Sequence, residues 1–284
     1  MIAGAVRRIT NDLRMLPDFV ILGTQRGGTS SLYHYLEQHP CIGGAFRKEI
    51  HFFDLRFDRG EGWYRAHFPM KLRRSLHSIA RDRIYLTGEA CPYYLFHPLV
   101  PERLARLLPE ARLIALLRNP ADRAISHYHH ERKKGREPLS LAEAIRCEEE
   151  RLRPELDALE RRGTFGGEAH RRFSYLARGR YAEQLERWLR WFPPERLLVI
   201  ASEEFFSAPA AAYRAVLRFL DLPAWEPPAY LHFNRGSYSG VDARLHAELG
   251  DYFRPHNERL YELLGRDLGW GDPAGGEGKR QWAS

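Results

Sequence analysis

A chain of 284 residues, 44% hydrophobic and 29% charged, has enough material for a real core and for one large domain or two small ones. Its 44 Lys and Arg against 37 Asp and Glu give a net charge of +7, but acids are interspersed throughout, which excludes charge alone as a sign of nucleic-acid binding. Three scattered cysteines without C-x-x-C spacing exclude a disulfide framework and a zinc signature, and no long apolar run offers a secretory signal or membrane span, so the expectation is a soluble, cytoplasmic protein.

Residues 1–16 read as an N-terminal extension. "DFVILG" (18–23) is a short apolar run closed by glycine, a buried strand, and residues 29–38 follow as a helix. The stretch 39–54 is irregular, broken by Pro40, Gly43 and Gly44. A short helix at 60–69 ends at Pro69, a strand is expected at 83–90, and a helix at 101–110 starts on Pro101. "ARLIALLRNP" (111–120) holds the strongest strand, and Asn119–Pro120 opens a helix through about 134, with Asn119 as N-cap. Residues 131–180 are charge-rich, with Gly163, Gly166 and Gly167 pointing to a flexible stretch. An amphipathic helix (182–192), a strand (195–202), a helix (207–220), a last helix (241–265) and a frayed tail (271–284) complete the chain. Apolar strands alternating with helices predict an α/β fold, a P-loop-type parallel sheet with helices on both faces, built as a single domain over 17–270.

The loop after the first strand carries the chemistry. Gly23 and Gly28 frame a G-x-x-x-x-G phosphate loop, but Thr29 and Ser30 follow where a nucleotide triphosphatase places Lys and Ser or Thr. Backbone N–H groups at a helix start, the Thr29 and Ser30 hydroxyls and the Arg26 fork can still hold phosphate or sulfate oxygens. No apolar strand ends in an Asp suited to a second magnesium ligand, so the cradle fits a ligand with less charge than a triphosphate. The competing reading is a Gly-rich connector with no ligand. Arg118 ends a strand at the edge where parallel sheets bind ligands, and Ser126 follows about two helical turns later; a solvated strand end and a helix-surface serine are the plain alternatives. His127, His129 and His130 lack a carboxylate at metal-binding spacing.

Taken together, "PDFVILGTQRGGTSSLYHYLEQHP", "RKEIHFFD", "TGEACPYYLFHP" and "LIALLRNPADRAISHYHH", in that order, resemble sulfotransferases that use 3′-phosphoadenosine-5′-phosphosulfate (PAPS). The resemblance spans about 17–270 and is nearest to the heparan sulfate sulfotransferase group and its bacterial relatives. It implies that Thr24, Gln25, Arg26, Gly27, Gly28, Thr29 and Ser30 hold the 5′-phosphosulfate, that Arg118 and Ser126 hold the 3′-phosphate, and that Arg235, Gly236 and Ser237 form a last donor loop. Glu49 corresponds to the general base, with His51 beside it, and Arg26 stands where the family commonly has lysine. Ala90 replaces a lysine of the heparan-modifying members, and the loop at 235–240 is shorter and lacks their cysteine pair.

The implied reaction moves a sulfuryl group from PAPS to a hydroxyl or amine, releasing adenosine 3′,5′-bisphosphate, with no metal required. Glu89, Tyr93 and Tyr94 are candidate acceptor contacts, with a structural salt bridge for Glu89 and a core position for the two tyrosines as the alternatives, and the acceptor is a carbohydrate or another small molecule rather than a nucleic acid. The rival readings are a P-loop kinase or nucleotidase, against which Thr29 in the lysine position speaks, and a basic nucleic-acid-binding protein.

Overall fold

A computed structural model describes residues 2–81, 84–162, 165, 167–233 and 243–270. Its strands are β1 (Phe19–Gly23), β2 (Ile42–Gly44), β3 (Leu86–Ala90), β4 (Arg112–Leu117) and β5 (Leu197–Ala201). The α-helices are α1 (Ile2–Ile9), α2 (Thr29–Glu37), α3 (Phe52–Leu55), α4 (Gly60–Arg65), α5 (Lys71–Arg81), α6 (Val100–Leu107), α7 (Pro120–Lys133), α8 (Leu141–Arg146), α9 (Glu148–Arg162), α10 (Glu168–Arg172), α11 (Tyr181–Leu189), α12 (Ser202–Ser207), α13 (Pro209–Phe219) and α14 (Ala243–Leu264). None is long and apolar enough to cross a membrane among the described residues.

The five strands form one sheet in the order β2-β3-β1-β4-β5, every pairing parallel. Every residue of β1 and β3 is buried, as a sheet covered on both faces requires. On one face Ile21, Ile114 and Ile200 pack with Leu32 and Leu36 of α2 and Val216 and Leu217 of α13. Burying each such aliphatic side chain stabilises by about 1.5–3 kcal/mol.

The chain divides into two compact units, where the sequence pointed to a single domain over 17–270. The first, Met1–Arg118 with Gln184–Gly236, contains the whole sheet. The N-terminal extension is part of it: Arg7 donates to the Ala66 and Phe68 carbonyls, and Arg14 bridges to Met70.

The second unit, Asn119–Glu183 with Ser237–Ser284, is helical. Asn119 caps α7 as expected, its side chain accepting from the Ala121 and Asp122 amides. Ala121 and Ile125 of α7 pack on Leu249 and Phe253 of α14. Gly163 and Gly166, in the stretch expected to be flexible, lie outside the described residues; around them, the described residues of 131–180 are largely helical. They fold into α8, α9 and α10 around two buried carboxylates: Glu137 accepts from Arg151 (2.6 Å) and Tyr175 (2.8 Å), and Glu148 from the Leu176 and Ala177 amides. Residues 271–284, expected to fray, lie outside the described residues.

Candidate active site

β1 stops at Gly23 and the chain turns over the carboxyl edge of the sheet. The Thr24 amide donates to the Leu116 carbonyl of β4 (2.6 Å), and the Gly27 amide closes the turn on the Thr24 carbonyl (3.0 Å). Ser202 Oγ donates to the Gly27 carbonyl at 2.7 Å. A Cβ at Gly27 would lie 2.8 Å from the Leu116 oxygen, so no side chain fits there. Gly28, at φ 99°, takes the left-handed conformation that lets the loop enter α2.

No side chain caps the N-terminus of α2. Its leading amides therefore have neither an intrahelical acceptor nor a capping side chain, the arrangement that receives an anion. The Thr24 hydroxyl is buried beside this turn with no hydrogen-bond partner, a second polar group left for a ligand. Gln25 and Arg26 are half-buried in the loop.

Arg118 follows β4 and reaches this loop: its Nη1 donates to the Arg26 carbonyl at 3.4 Å. The two predicted anion contacts thus share one edge of the sheet. Ser126 lies on α7 in the second unit and is buried. Arg235, Gly236 and Ser237 lie outside the described residues.

The segment "RKEIHFFD" runs beside the end of β3, where the Glu49 amide donates to the Ala90 carbonyl (3.1 Å). The Glu49 side chain is 44% exposed, with Lys48 Nζ at 2.7 Å and His51 Nε2 at 3.8 Å. Partial burial pulls its pKa upward, but the neighbouring His51 imidazole and the Lys48 ammonium win and hold it down at about 2. Burial pulls the other way on His51. Cys91, whose Sγ is 3.3 Å from Nδ1, the Asp54 carboxylate 2.7 Å from the same atom, and Glu49 overcome it and raise the imidazole well above its ordinary range.

Asp54 and Cys91 are the site residues that sequence reasoning missed. Asp54 had a visible signal, since H-x-x-D places both side chains on one face of a helical turn. Cys91 had none, because only the passage of the 49–54 segment along the end of β3 brings it there. Among the described residues His51, Asp54 and Cys91 are the one cluster of three metal-ligating types; the histidines at 127, 129 and 130 form no such group. The Nδ1–Oδ2 separation of 2.7 Å is a hydrogen-bond length. Two ligands of a tetrahedral zinc, each about 2.0–2.2 Å from the ion, stand roughly 3.3 Å apart.

Glu89, Tyr93 and Tyr94, expected to touch the acceptor, are all buried, Glu89 and Tyr94 completely. Glu89 and Tyr94 form the wall behind the catalytic segment, the structural alternative to acceptor contact. Glu89 Oε1 accepts from the Tyr64 and Tyr94 hydroxyls, and Oε2 has no partner. The Tyr94 oxygen in turn accepts from the Phe52 (2.9 Å) and Phe53 (3.4 Å) amides, which start the turn carrying His51 and Asp54. Burial raises the Glu89 carboxyl to about 7 despite these two donors.

Residues 16–229 match the model of the sulfotransferase domain. Heparan sulfate glucosamine 3-O-sulfotransferase 3B1 of Mus musculus is 30% identical over 281 residues, covering 90% of this chain and 65% of that protein. Heparan sulfate glucosamine 3-O-sulfotransferase 6 of Homo sapiens is 30% identical over 282 residues, covering 91% of this chain and 75% of that protein. The chain thus spans just under two thirds of the length of the mouse relative. A sulfotransferase crystal structure from Alicyclobacillus acidocaldarius superposes with a TM-score of 0.69 at 32% identity, covering 91% of this chain and all of that one. With the phosphate loop, the strand-end arginine and the Glu49–His51–Asp54 turn all on one sheet edge, and the domain match running over most of its length, the chain belongs to the sulfotransferase domain family.

Proposed function

We propose that this protein transfers a sulfuryl group from PAPS to a hydroxyl or amine of a carbohydrate acceptor. The observation that carries the reading is the Arg118–Arg26 contact, which joins the guanidinium assigned to the 3′-phosphate to the loop assigned to the 5′-phosphosulfate. The relatives named for heparan sulfate glucosamine support the carbohydrate class.

The acceptor oxygen bonds to sulfur while the bond from sulfur to the donor's bridging oxygen breaks. The departing electron pair stays on the 5′-phosphate, where Arg26 and the leading amides of α2 stabilise it. Glu49 takes the acceptor's proton. A carboxylate held near 2 is ionised throughout the neutral range but is a weak base, so the proton moves as the acceptor oxygen becomes acidic on bonding to sulfur. His51 is held protonated between Asp54 and Glu49, so it orients Glu49 and does not compete for the proton. One phosphate and one sulfate at the donor's 5′ end can be served by Arg26 and the leading amides of α2, so the proposed reaction requires no metal.

Calorimetric titration with adenosine 3′,5′-bisphosphate tests the donor site. Binding to the intact protein is expected, with a loss of tenfold or more in Arg118→Ala; no binding to the intact protein overturns the reading. Glu49→Gln should bind the bisphosphate as before while turnover falls ~10²–10⁴-fold. Unchanged turnover would remove Glu49 as the base. Labelled PAPS offered to a panel of glycans, lipids and phenols identifies the acceptor, and transfer to phenols alone would exclude the carbohydrate class.

A further inference from the structure

Six of the thirteen exposed large apolar residues among the described residues fall on two short segments: Val6, Ile9 and Leu13 on α1 and the turn after it, and Leu72, Leu76 and Ile79 on α5. Scattered exposed leucines need no explanation, but this grouping does.

On α5 the three side chains are 63%, 56% and 83% exposed. At 100° per residue they fall within an arc of about 60°. Lys71 and Arg73, both exposed, lie on either side of that arc. The opposite face holds the helix to the protein: Arg74 donates to the Tyr85 carbonyl (3.0 Å) and pairs with Asp18, and the His77 ring lies on Tyr85. The helix therefore anchors through Arg74 and His77 and turns its apolar face to solvent, the reverse of a helix that contributes to a core. The antiparallel bridge between Arg14 and Met70 sets the end of the N-terminal segment beside the start of α5. Charge follows the same pattern. Residues 1–16 and 69–84 hold eight Lys or Arg against two Asp; Arg7, Arg14 and Arg74 bind protein groups, and Arg8, Lys71 and Arg73 are exposed.

An apolar stripe flanked by exposed cations matches an anionic lipid surface: the aliphatic side chains enter the acyl boundary and the cations meet the headgroups. We propose that α5, with the N-terminal segment, seats the protein peripherally on an anionic bilayer. Asp18 and Tyr85, which hold α5, stand before β1 and β3, at the amino edge of the sheet. The phosphate loop stands at the carboxyl edge, so a protein seated this way turns that loop away from the lipid. The proposal does not depend on the sulfotransferase reading.

Co-sedimentation of the full chain with phosphatidylcholine–phosphatidylglycerol vesicles tests it. Binding roughly 10²-fold tighter than to phosphatidylcholine alone is expected from about three surface cations, weakening as salt is raised. Leu76→Glu combined with Ile79→Glu should abolish sedimentation while bisphosphate binding stays unchanged, because both side chains are exposed and distant from the loop. No binding to the mixed vesicles, equal binding to neutral ones, or undiminished binding of the double variant overturns the proposal. So does light scattering that shows a dimer split into monomers by the same substitutions, since the face would then be covered by a second copy.

Discussion

Arg26, Glu49 and His51 adopt left-handed backbone conformations (φ 71°, 58° and 56°), and among the described residues Asp221 is the one other non-glycine to do so. Such a conformation costs of order 1–3 kcal/mol and persists where surrounding bonds over-determine it. They do so at Glu49 and His51: Arg56 holds the Ile50 carbonyl (2.9 Å), Arg103 the Phe53 carbonyl (2.7 Å), and Tyr94 the two amides between. All three residues were legible in the sequence as motif members, but the reason they point where they do was not. For Glu49 and His51 it lies in Tyr64, Glu89 and Tyr94, whose contacts come from chain segments far apart. Glu89 gives this wall a pH dependence. Its pKa rises from 4.5 unfolded to about 7 folded, so its contribution to stability is complete below about pH 4.5 and lost as pH rises through 7. Glu89→Gln cannot ionise. Urea melts on either side of that window should show wild type losing roughly 1–3 kcal/mol relative to the variant as pH rises. Parallel curves for the two proteins would mean that Glu89 ionises without penalty.

At the level of elements, β1, β4, β5 and α7 were readable because their apolar runs and caps do what local sequence dictates. β2 was not, since Ile42–Gly44 carries two glycines and reads as a break, yet pairs in register with Leu86–Gly88. α5 escaped because its apolar period faces away from the core. α8 was missed although it carries a Ser140–Glu143 capping box and packs Ala144, Leu141 and Ile145 into a small core, while buried Glu137 and Glu148, which no local pattern announces, add to the order of the segment. The junction of loop and α2 makes the sharpest test. A methyl at Gly28 must accept φ 99° and sit 2.9 Å from the Phe206 ring. Gly28→Ala should therefore lower stability by about 1–3 kcal/mol and weaken bisphosphate binding. Gly250→Ala, in α14 with open space around it, should raise stability by about 0.5–1 kcal/mol. Equal melts for the two variants would show that the loop is not strained in the way described.

The whole molecule has one property that no local pattern announces: its first unit is discontinuous. Trp188 Nε1 donates to the Leu95 carbonyl, Ser202 holds the phosphate loop, Arg112 donates to the Phe219 carbonyl, and β5 covers β4 along five residue pairs. A fragment of residues 1–183 lacks all of these partners and leaves β4 as a bare apolar edge. It should show no cooperative urea transition from the first unit and should aggregate, whereas a sharp transition with native-like circular dichroism would refute that expectation. The same discontinuity bears on synthesis. A ribosome adding about 5–20 residues per second needs roughly 4–17 s to pass from the end of β4 to the end of β5. Throughout that interval the nascent sheet waits, half-zipped, for its last strand, and any chaperone that serves this protein would find β4 the segment to shield.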